Sequence, residues 1–187
     1  MRCEPPECSD GELAALTLAG RQSAFTEIMQ RHKEPIYRLV LGYVGNPDDA
    51  LDLVQECFVS AYRNLESYDP ERPLRAWLAR IAINKCRDWA RRRAVRKFFT
   101  FAKPMEAAAG VADPAPAADK TAEDREALAA LRNAIAALPR SLKEPLVLRT
   151  IEGLSQAEAA AALGISEKAV ETRLYRARAR LAALREK

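Results

Sequence analysis

The chain has 187 residues, 49% of them hydrophobic and 30% charged, which suits one or two small soluble domains with modest cores. No apolar run is long enough to span a bilayer, and the opening MRCEPPECSDGE lacks the apolar core of a signal peptide, so a cytoplasmic protein without membrane insertion is expected. A net charge of +4 is only mildly basic, so any case for nucleic acid rests on where the charge clusters.

Residues 1–11 are Pro-rich and are expected to form a mobile tail. The four cysteines, Cys3, Cys8, Cys57 and Cys86, are too few and too scattered for a disulfide scaffold. Cys57 and Cys86 fall inside apolar helical patterns and read as small buried hydrophobes. Cys3 and Cys8 read as free, solvated thiols, with a redox or metal-sensing role as the alternative. His32 is the only histidine, so no metal site is expected. From Gly11 to Gly45 the pattern is helical, with Leu13, Leu16, Leu18, Phe25, Ile28, Met29, Ile36, Leu39, Val40 and Tyr43 assigned to a core. Pro35 is expected at a break or in a first turn, and Gly45, Asn46 and Pro47 end the segment.

The stretch NPDDALDLVQECFVSAYRNLESY predicts a helix opened by Asn46 as N-cap and Pro47 at its first position. Asp48 and Asp49 complement the positive end of its dipole. Leu51, Val54, Phe58, Ala61 or Tyr62, and Leu65 recur at helical steps and mark the inward side. Asp52, Gln55 and Glu56 fall on the other side, free to meet a partner. RPLRAWLARIAINKCRDWARRRAVRK predicts a second helix burying Trp77, Leu78, Ile81 and Trp89. Arg80, Asn84, Arg87 and Arg91 form its polar stripe, and it ends in Arg91, Arg92, Arg93, Arg96 and Lys97. Few structural needs call for such a density of positive charge, and phosphate contacts would use it.

After Lys97 the aromatic FFTFAKP, with Phe98, Phe99 and Phe101, either covers the end of the first domain or starts the next segment. MEAAAGVADPAPAADKTAED lacks the large apolar residues of a core, so residues 99–124 are assigned as an interdomain linker. Leu128, Leu131, Ile135 and Leu138 then lie on a helix stopped by Pro139. Ser141 to Glu144 reads as a capping box, with Pro145 near the first turn and Leu146, Val147, Leu148 and Ile151 on the apolar side. Gly153 ends that helix. Ser155 to Glu158 is a second capping box for a short Ala-rich helix ending at Leu163. Gly164, Ile165 and Ser166 form a tight turn, and Ser166 caps a last helix with Val170, Leu174, Ala177, Leu181 and Leu184 inward. Two helices joined by a Gly-containing turn are a helix-turn-helix. Alanines 159 to 162 permit close approach, while Lys168, Glu171, Thr172, Arg173, Arg176, Arg178 and Arg180 point out with groups suited to base edges and phosphates.

DDALDLVQECFVSAY followed by LRAWLARIAINKCRDWARRR resembles region two of bacterial sigma factors, in the extracytoplasmic-function (group four) branch of the sigma-seventy family. LPRSLKEPLVLRTIEGLSQAEAAAALGISEKAVETRLYRARARL is similar to region four of the same family, and the resemblance covers about Leu13 to Leu184. It implies an all-α fold of two small helical domains, a region-two bundle over 12–98 and a region-four helix-turn-helix domain over 125–187. Carried over by position, Asp52, Gln55 and Glu56 would dock on the clamp helices of the largest subunit of RNA polymerase core. Ser67, Tyr68, Trp77, Arg80, Asn84, Arg87, Arg91 and Arg92, with the Ser67 to Leu74 turn, would contact the melted minus-ten strand. Ser166, Lys168, Glu171, Thr172, Arg173, Tyr175, Arg176 and Arg178 would serve the minus-thirty-five element. The second domain would rest near the flap of the other large subunit. The linker would cross the polymerase cleft toward the RNA exit path, with Phe98, Phe99 and Phe101 anchoring its start. Glu171 departs from the basic or small polar residues frequent there, and either accepts from a cytosine amino group or marks a different promoter sequence.

The resemblance thus implies an alternative sigma factor for stress-responsive transcription initiation, partnered by core polymerase, promoter DNA and an anti-sigma factor. With no nucleotide-binding Gly loop, partnered nucleophile or metal set, neither catalysis, a cofactor nor a small-molecule substrate is expected. An ordinary helix-turn-helix repressor or response-regulator output domain would explain everything after Arg125, but not the second basic helix. A small helical enzyme of nucleic-acid metabolism would need carboxylates clustered on a pocket.

Overall fold

The computed structural model describes residues 7–100 and 119–185, and among them every regular element is helical. In chain order these are α1 (Asp10–Leu18), α2 (Gln22–Val44), α3 (Pro47–Arg63), a single 3-10 turn (Leu65–Ser67) and α4 (Leu74–Thr100). They are followed by α5 (Asp119–Ala137), α6 (Arg140–Leu146), a π-helical segment (Val147–Ile151), α7 (Gln156–Leu163) and α8 (Glu167–Arg185). The first four helices form one bundle and the rest a second, smaller one.

α1 starts earlier than its apolar pattern suggests, because Ser9 and Glu12 close a capping box. Ser9 Oγ accepts from the Glu12 N–H at 3.3 Å and Glu12 accepts from the Ser9 N–H at 2.7 Å. The residue before it overturns the expectation of a solvated thiol. Cys8 is 2% exposed and disulfide-bonded, and its carbonyl accepts from the Arg31 guanidinium at 2.8 Å. Cys3 lies outside the described residues. Cys57 and Cys86 are buried as expected, and burial pushes the Cys57 thiol up to about 12.

Pro35 does not break the chain, contrary to expectation, but sits inside a continuous α2. Proline in a helix interior costs on the order of 3 kcal/mol. Complete burial of Ile28, Leu39 and Val40 on both sides of it outweighs that cost. α3 opens as its sequence predicts: Asn46 Oδ1 accepts from the Asp49 N–H at 3.0 Å and Pro47 takes the first helical position. Its inward stripe is Ala50, Leu53, Val54, Cys57, Phe58 and Ala61, which keeps the expected Val54, Phe58 and Ala61. Leu51, assigned to the core, is 46% exposed, and of the alternatives Ala61 and Tyr62 the structure buries Ala61 and leaves Tyr62 46% exposed. Leu18 and Met29 also face outward, and the innermost residues of α4 are Leu74, Leu78, Ala79, Ala82, Ile83 and Cys86, with Trp77, Ile81 and Trp89 half-buried.

In the second bundle Leu128 and Leu131 lie on α5, a helix as expected, and are exposed, while Leu138 is buried. The Ser141 to Glu144 capping box does not form. Pro139 takes the N-cap position, so Ser141 lies two residues inside the start and is no longer the cap, and Glu144 turns to arginine partners instead. Pro145 lies inside α6 rather than near its start, and the backbone relaxes into the π-helical segment after it. The second box does form: Ser155 Oγ accepts from the Glu158 N–H at 3.2 Å, and Glu158 accepts from the Ser155 N–H at 2.6 Å. Gly164 closes α7 at φ +68, a left-handed value that suits glycine, and Ser166 Oγ caps α8 by accepting from the Ala169 N–H at 3.2 Å. Val170, Leu174 and Ala177 hold α8 against α6 and α7.

The two bundles meet through α2 and α4 on one side and α5, the π-helical segment and α7 on the other. Gly42 lets Ile151 pack directly on the α2 backbone. Lys143 Nζ donates to the carbonyls of Tyr43 at 3.1 Å and of Ala136, and Arg75 donates to the Gly153 carbonyl at 3.3 Å. Glu152 is 5% exposed at this junction, and neither carboxylate oxygen has a hydrogen-bond partner among the described residues. Burial pushes its carboxyl up to about 7, against the pull of Arg75 and Arg38.

Ser155→Ala removes one half of a capping box and is expected to cost about 1 kcal/mol, read as a lower thermal midpoint by circular dichroism. A carboxyl raised to about 7 binds its proton more tightly in this fold than in water. Its ionisation penalty is therefore fully present above pH 7 and fades as the pH falls below it. The thermal midpoint of the native protein should rise relative to Glu152→Gln between pH 8 and pH 6, and parallel curves would show that Glu152 is not held in this way.

Candidate nucleic-acid and partner interface

α3 presents an outward strip that mixes apolar and polar groups. Asp52 and Gln55 are exposed there, as predicted, and Leu51, Val59 and Tyr62 stand beside them at 46%, 50% and 46% exposure. The apolar members were missed in the sequence because they were assigned inward or passed over, yet a mixed apolar and acidic strip is what a protein partner can cover. Glu56 is not free like its neighbours. Its carboxylate lies 3.9 Å from Lys85 Nζ and 3.5 Å from Arg92 on α4. Asp49 behaves alike, accepting from Trp89 Nε1 at 3.1 Å and lying 3.6 Å from Arg93, whose guanidinium covers the Trp89 ring. The acid side of α3 and the basic end of α4 thus enclose a cavity of about 650 Å³ between Asp49, Asp52, Glu56, Arg91, Arg92 and Arg96.

The turn before α4 is built by its own side chains. Tyr68 is 8% exposed, donates its hydroxyl to the Arg72 carbonyl at 2.7 Å and lies 5.6 Å from the Trp77 ring. Ser67 Oγ donates to the Asn64 carbonyl at 2.7 Å. Of the residues predicted for the minus-ten strand, Ser67, Tyr68 and Trp77 therefore shape the turn. Arg80, Asn84, Arg91 and Arg92 are exposed along α4, Arg91 pairing with Asp88 at 2.7 Å. Arg87 leaves this row for the other bundle.

α8 carries the predicted base-reading residues on one exposed face. Tyr175 is 76% exposed, and Thr172, Arg176 and Arg178 are exposed with it. Lys168 and Glu171, both exposed, pair at 3.1 Å, so Glu171 is already engaged with a cation of its own helix. Ser166 is occupied as the helix cap. Arg173 departs from the face, since it is half-buried and lines the junction between the bundles.

That junction holds a cluster no motif announced. Glu144, 4% exposed, accepts from Arg87 Nε at 2.8 Å and Nη2 at 2.7 Å, and from Arg140 Nε at 2.8 Å. The Tyr43 hydroxyl lies 3.5 Å away, and burial together with the Glu144 charge pushes that phenol up. Among the described residues there is no cluster of His, Cys, Asp and Glu suited to a metal ion, and no helix is long and apolar enough to cross a membrane.

With this geometry, residues 28–96 match the family profile "Sigma-70 region 2" and residues 128–181 match "Sigma-70, region 4". The chain is 42% identical to the RNA polymerase sigma factor CnrH of Cupriavidus metallidurans, over 96% of this chain and 95% of that one. It is 35% identical to the ECF RNA polymerase sigma factor SigM of Mycobacterium tuberculosis, over 95% of this chain and 85% of that one. Among solved structures it resembles CnrH in complex with the cytosolic domain of CnrY, with a TM-score of 0.70 and 35% identity over 95% and 97% of the two chains. It also shares the fold of the Bartonella quintana sigma factor RpoE bound to the anti-sigma factor NepR, at a TM-score of 0.68 over 87% and 96% of the chains. Two sigma regions in their family order, on a fold shared with solved sigma factors, place this chain in the sigma-70 family, among its extracytoplasmic-function members.

Proposed function

We propose that the chain docks on RNA polymerase core through α3 and gives that enzyme its promoter choice through α4 and α8. The observation that carries the reading is the coupling, in one chain, of an exposed acidic and apolar strip on α3, a basic α4 and a helix-turn-helix. Asp52 and Gln55 contribute polar contacts to the clamp helices, with Leu51, Val59 and Tyr62 as the apolar part of the same surface. Glu56 holds Lys85 and Arg92 in place and acts at the edge of that surface.

Residues 12–98 serve docking and the minus-ten element. Arg80, Asn84, Arg91 and Arg92 hold phosphates of the displaced strand, while the Tyr68 and Trp77 turn frames a pocket for an unstacked base. Capturing that base costs a few kcal/mol of stacking, which the pocket must offset. Residues 125–187 read the minus-thirty-five element through Lys168, Glu171, Thr172, Tyr175, Arg176 and Arg178, with the start of α8 in the major groove. Holding both modules on one enzyme raises the effective concentration of each for its element, so two weak binders act as one strong one. The chain supplies recognition and leaves catalysis to the polymerase. An anti-sigma factor restrains it in the cytoplasm until a stress signal arrives, a partner suggested by the solved CnrH and RpoE complexes.

Binding to RNA polymerase core, followed by fluorescence anisotropy, should be tight for the native chain. Truncating two central contacts, Asp52→Ala with Gln55→Ala, is expected to weaken it about tenfold to a hundredfold. The Lys168→Ala variant should bind core normally and lose affinity for minus-thirty-five duplexes. No binding of the native chain to core would remove the initiation-factor reading.

A further inference from the structure

Lys168 and Glu171 stand together on the exposed face of α8, and their pairing bears on which base that face selects. We propose that Glu171 is a specificity-determining residue: its carboxylate accepts from the amino group of a cytosine in the major groove, and Lys168, held beside it, donates to the guanine of the same base pair. The proposal rests on the reading of α8 as the minus-thirty-five helix, and deepens it by naming the base pair read near its start.

Three observations carry it. The first is geometric. Lys168 Nζ donates to Glu171 Oε2 at 3.1 Å, so a donor and an acceptor are held side by side. In a G·C pair, guanine O6 and the cytosine N4 amino group are joined by a hydrogen bond of about 3 Å, and both face the major groove. The protein pair matches that edge in reverse, with the ammonium on O6 and the carboxylate on the second N4 hydrogen. An A·T pair also sets an acceptor beside a donor, but its thymine methyl group would lie against the ammonium, whereas guanine adds N7 as a second acceptor. The G·C edge is the better complement.

The second is what the neighbouring side chains are committed to. Ser166 Oγ accepts from the Ala169 N–H, and Thr172 gives its hydroxyl hydrogen to the Lys168 carbonyl at 2.9 Å. Arg173 lines the cavity between the bundles. Among the residues predicted for base reading in the first two turns of α8, Lys168 and Glu171 therefore keep the uncommitted side-chain hydrogen-bonding capacity, with side chains 83% and 60% exposed.

The third is electrostatic. An ion pair this exposed contributes little to stability, so folding does not require Glu171. A carboxylate brought into a groove lined with phosphates is repelled by every sequence, and an amino group directly beneath it compensates. Glu171 thus acts by penalising the bases that lack one, and the penalty becomes selectivity. Lys168 balances its charge until the duplex is bound.

Full-length native protein, Glu171→Ala and Lys168→Ala are each reconstituted with RNA polymerase core and used to select from a duplex library randomised across the minus-thirty-five region. Selected duplexes are then measured again with single base pairs exchanged. Alanine is the best helix former, so α8 persists in both variants. The native holoenzyme is expected to favour a G·C pair at one position, with cytosine on a fixed strand, by about tenfold to a hundredfold over the other pairs. Glu171→Ala should lose that preference by binding the rejected sequences more tightly, and keep its preferences elsewhere. Lys168→Ala should weaken discrimination at the same pair. An unchanged profile in Glu171→Ala overturns the proposal, as does an A·T pair at the position this variant loses. A loss of preference at every position in Glu171→Ala also overturns it, since that marks a residue needed only to place the helix. A native holoenzyme without preference at any position shows that the reading of α8 has failed, and the proposal fails with it.

Discussion

The arrangement depends on one buried carboxylate. Glu144 belongs to a helix of the second bundle, yet it is satisfied by Arg87 of the first, 57 residues earlier, as well as by its neighbour Arg140. A carboxylate at 4% exposure has no alternative in water, so it must be paired, and the pairing with Arg87 ties one bundle to the other. Such a pair specifies position more than it stabilises. Around it Ile151 and Val147 pack toward Gly42, and the backbone carbonyls of Tyr43 and Gly153 receive Lys143 and Arg75.

The same segregation of charge organises the first bundle. Acids on α3 face bases on α4, and their ion pairs at Glu56 and Asp49 tie the two helices together. Their members are largely exposed, so each pair contributes little energy, and their effect is on orientation. Trp89, donating to Asp49 and covered by Arg93, is the rigid part of that link. A disturbance at one surface therefore has a physical route to the other, through side chains that touch.

Sequence alone determined the helix boundaries wherever capping chemistry is local. Asn46 with Pro47, Ser155 with Glu158, and Gly164 with Ser166 all act within three or four residues, so the pattern of letters and the geometry coincide. The helix-turn-helix, the basic α4 and the acidic side of α3 were legible for the same reason, since residues spaced three or four apart share a face wherever the helix lies. Ser9 and Glu12 were equally local, and their capping box was passed over by starting the helix at Gly11.

Tertiary structure decided what depends on where helices cross. Steps of three and four residues fit two adjacent stripes of α3, and only packing chose Ala50 and Leu53 over Leu51, and Ala61 over Tyr62, for the interior. Pro35 was tolerated because both flanks of α2 are buried, a compensation invisible within one turn of sequence. Ser141 lost its capping role to Pro139, and Glu144, freed from that box, found Arg87 across the junction. Arg173 likewise left the exposed row of α8 for the same cavity. A capping bond joins neighbours in the chain and is written in the sequence, whereas a long-range ion pair exists only once two folded units place their charges within hydrogen-bond reach.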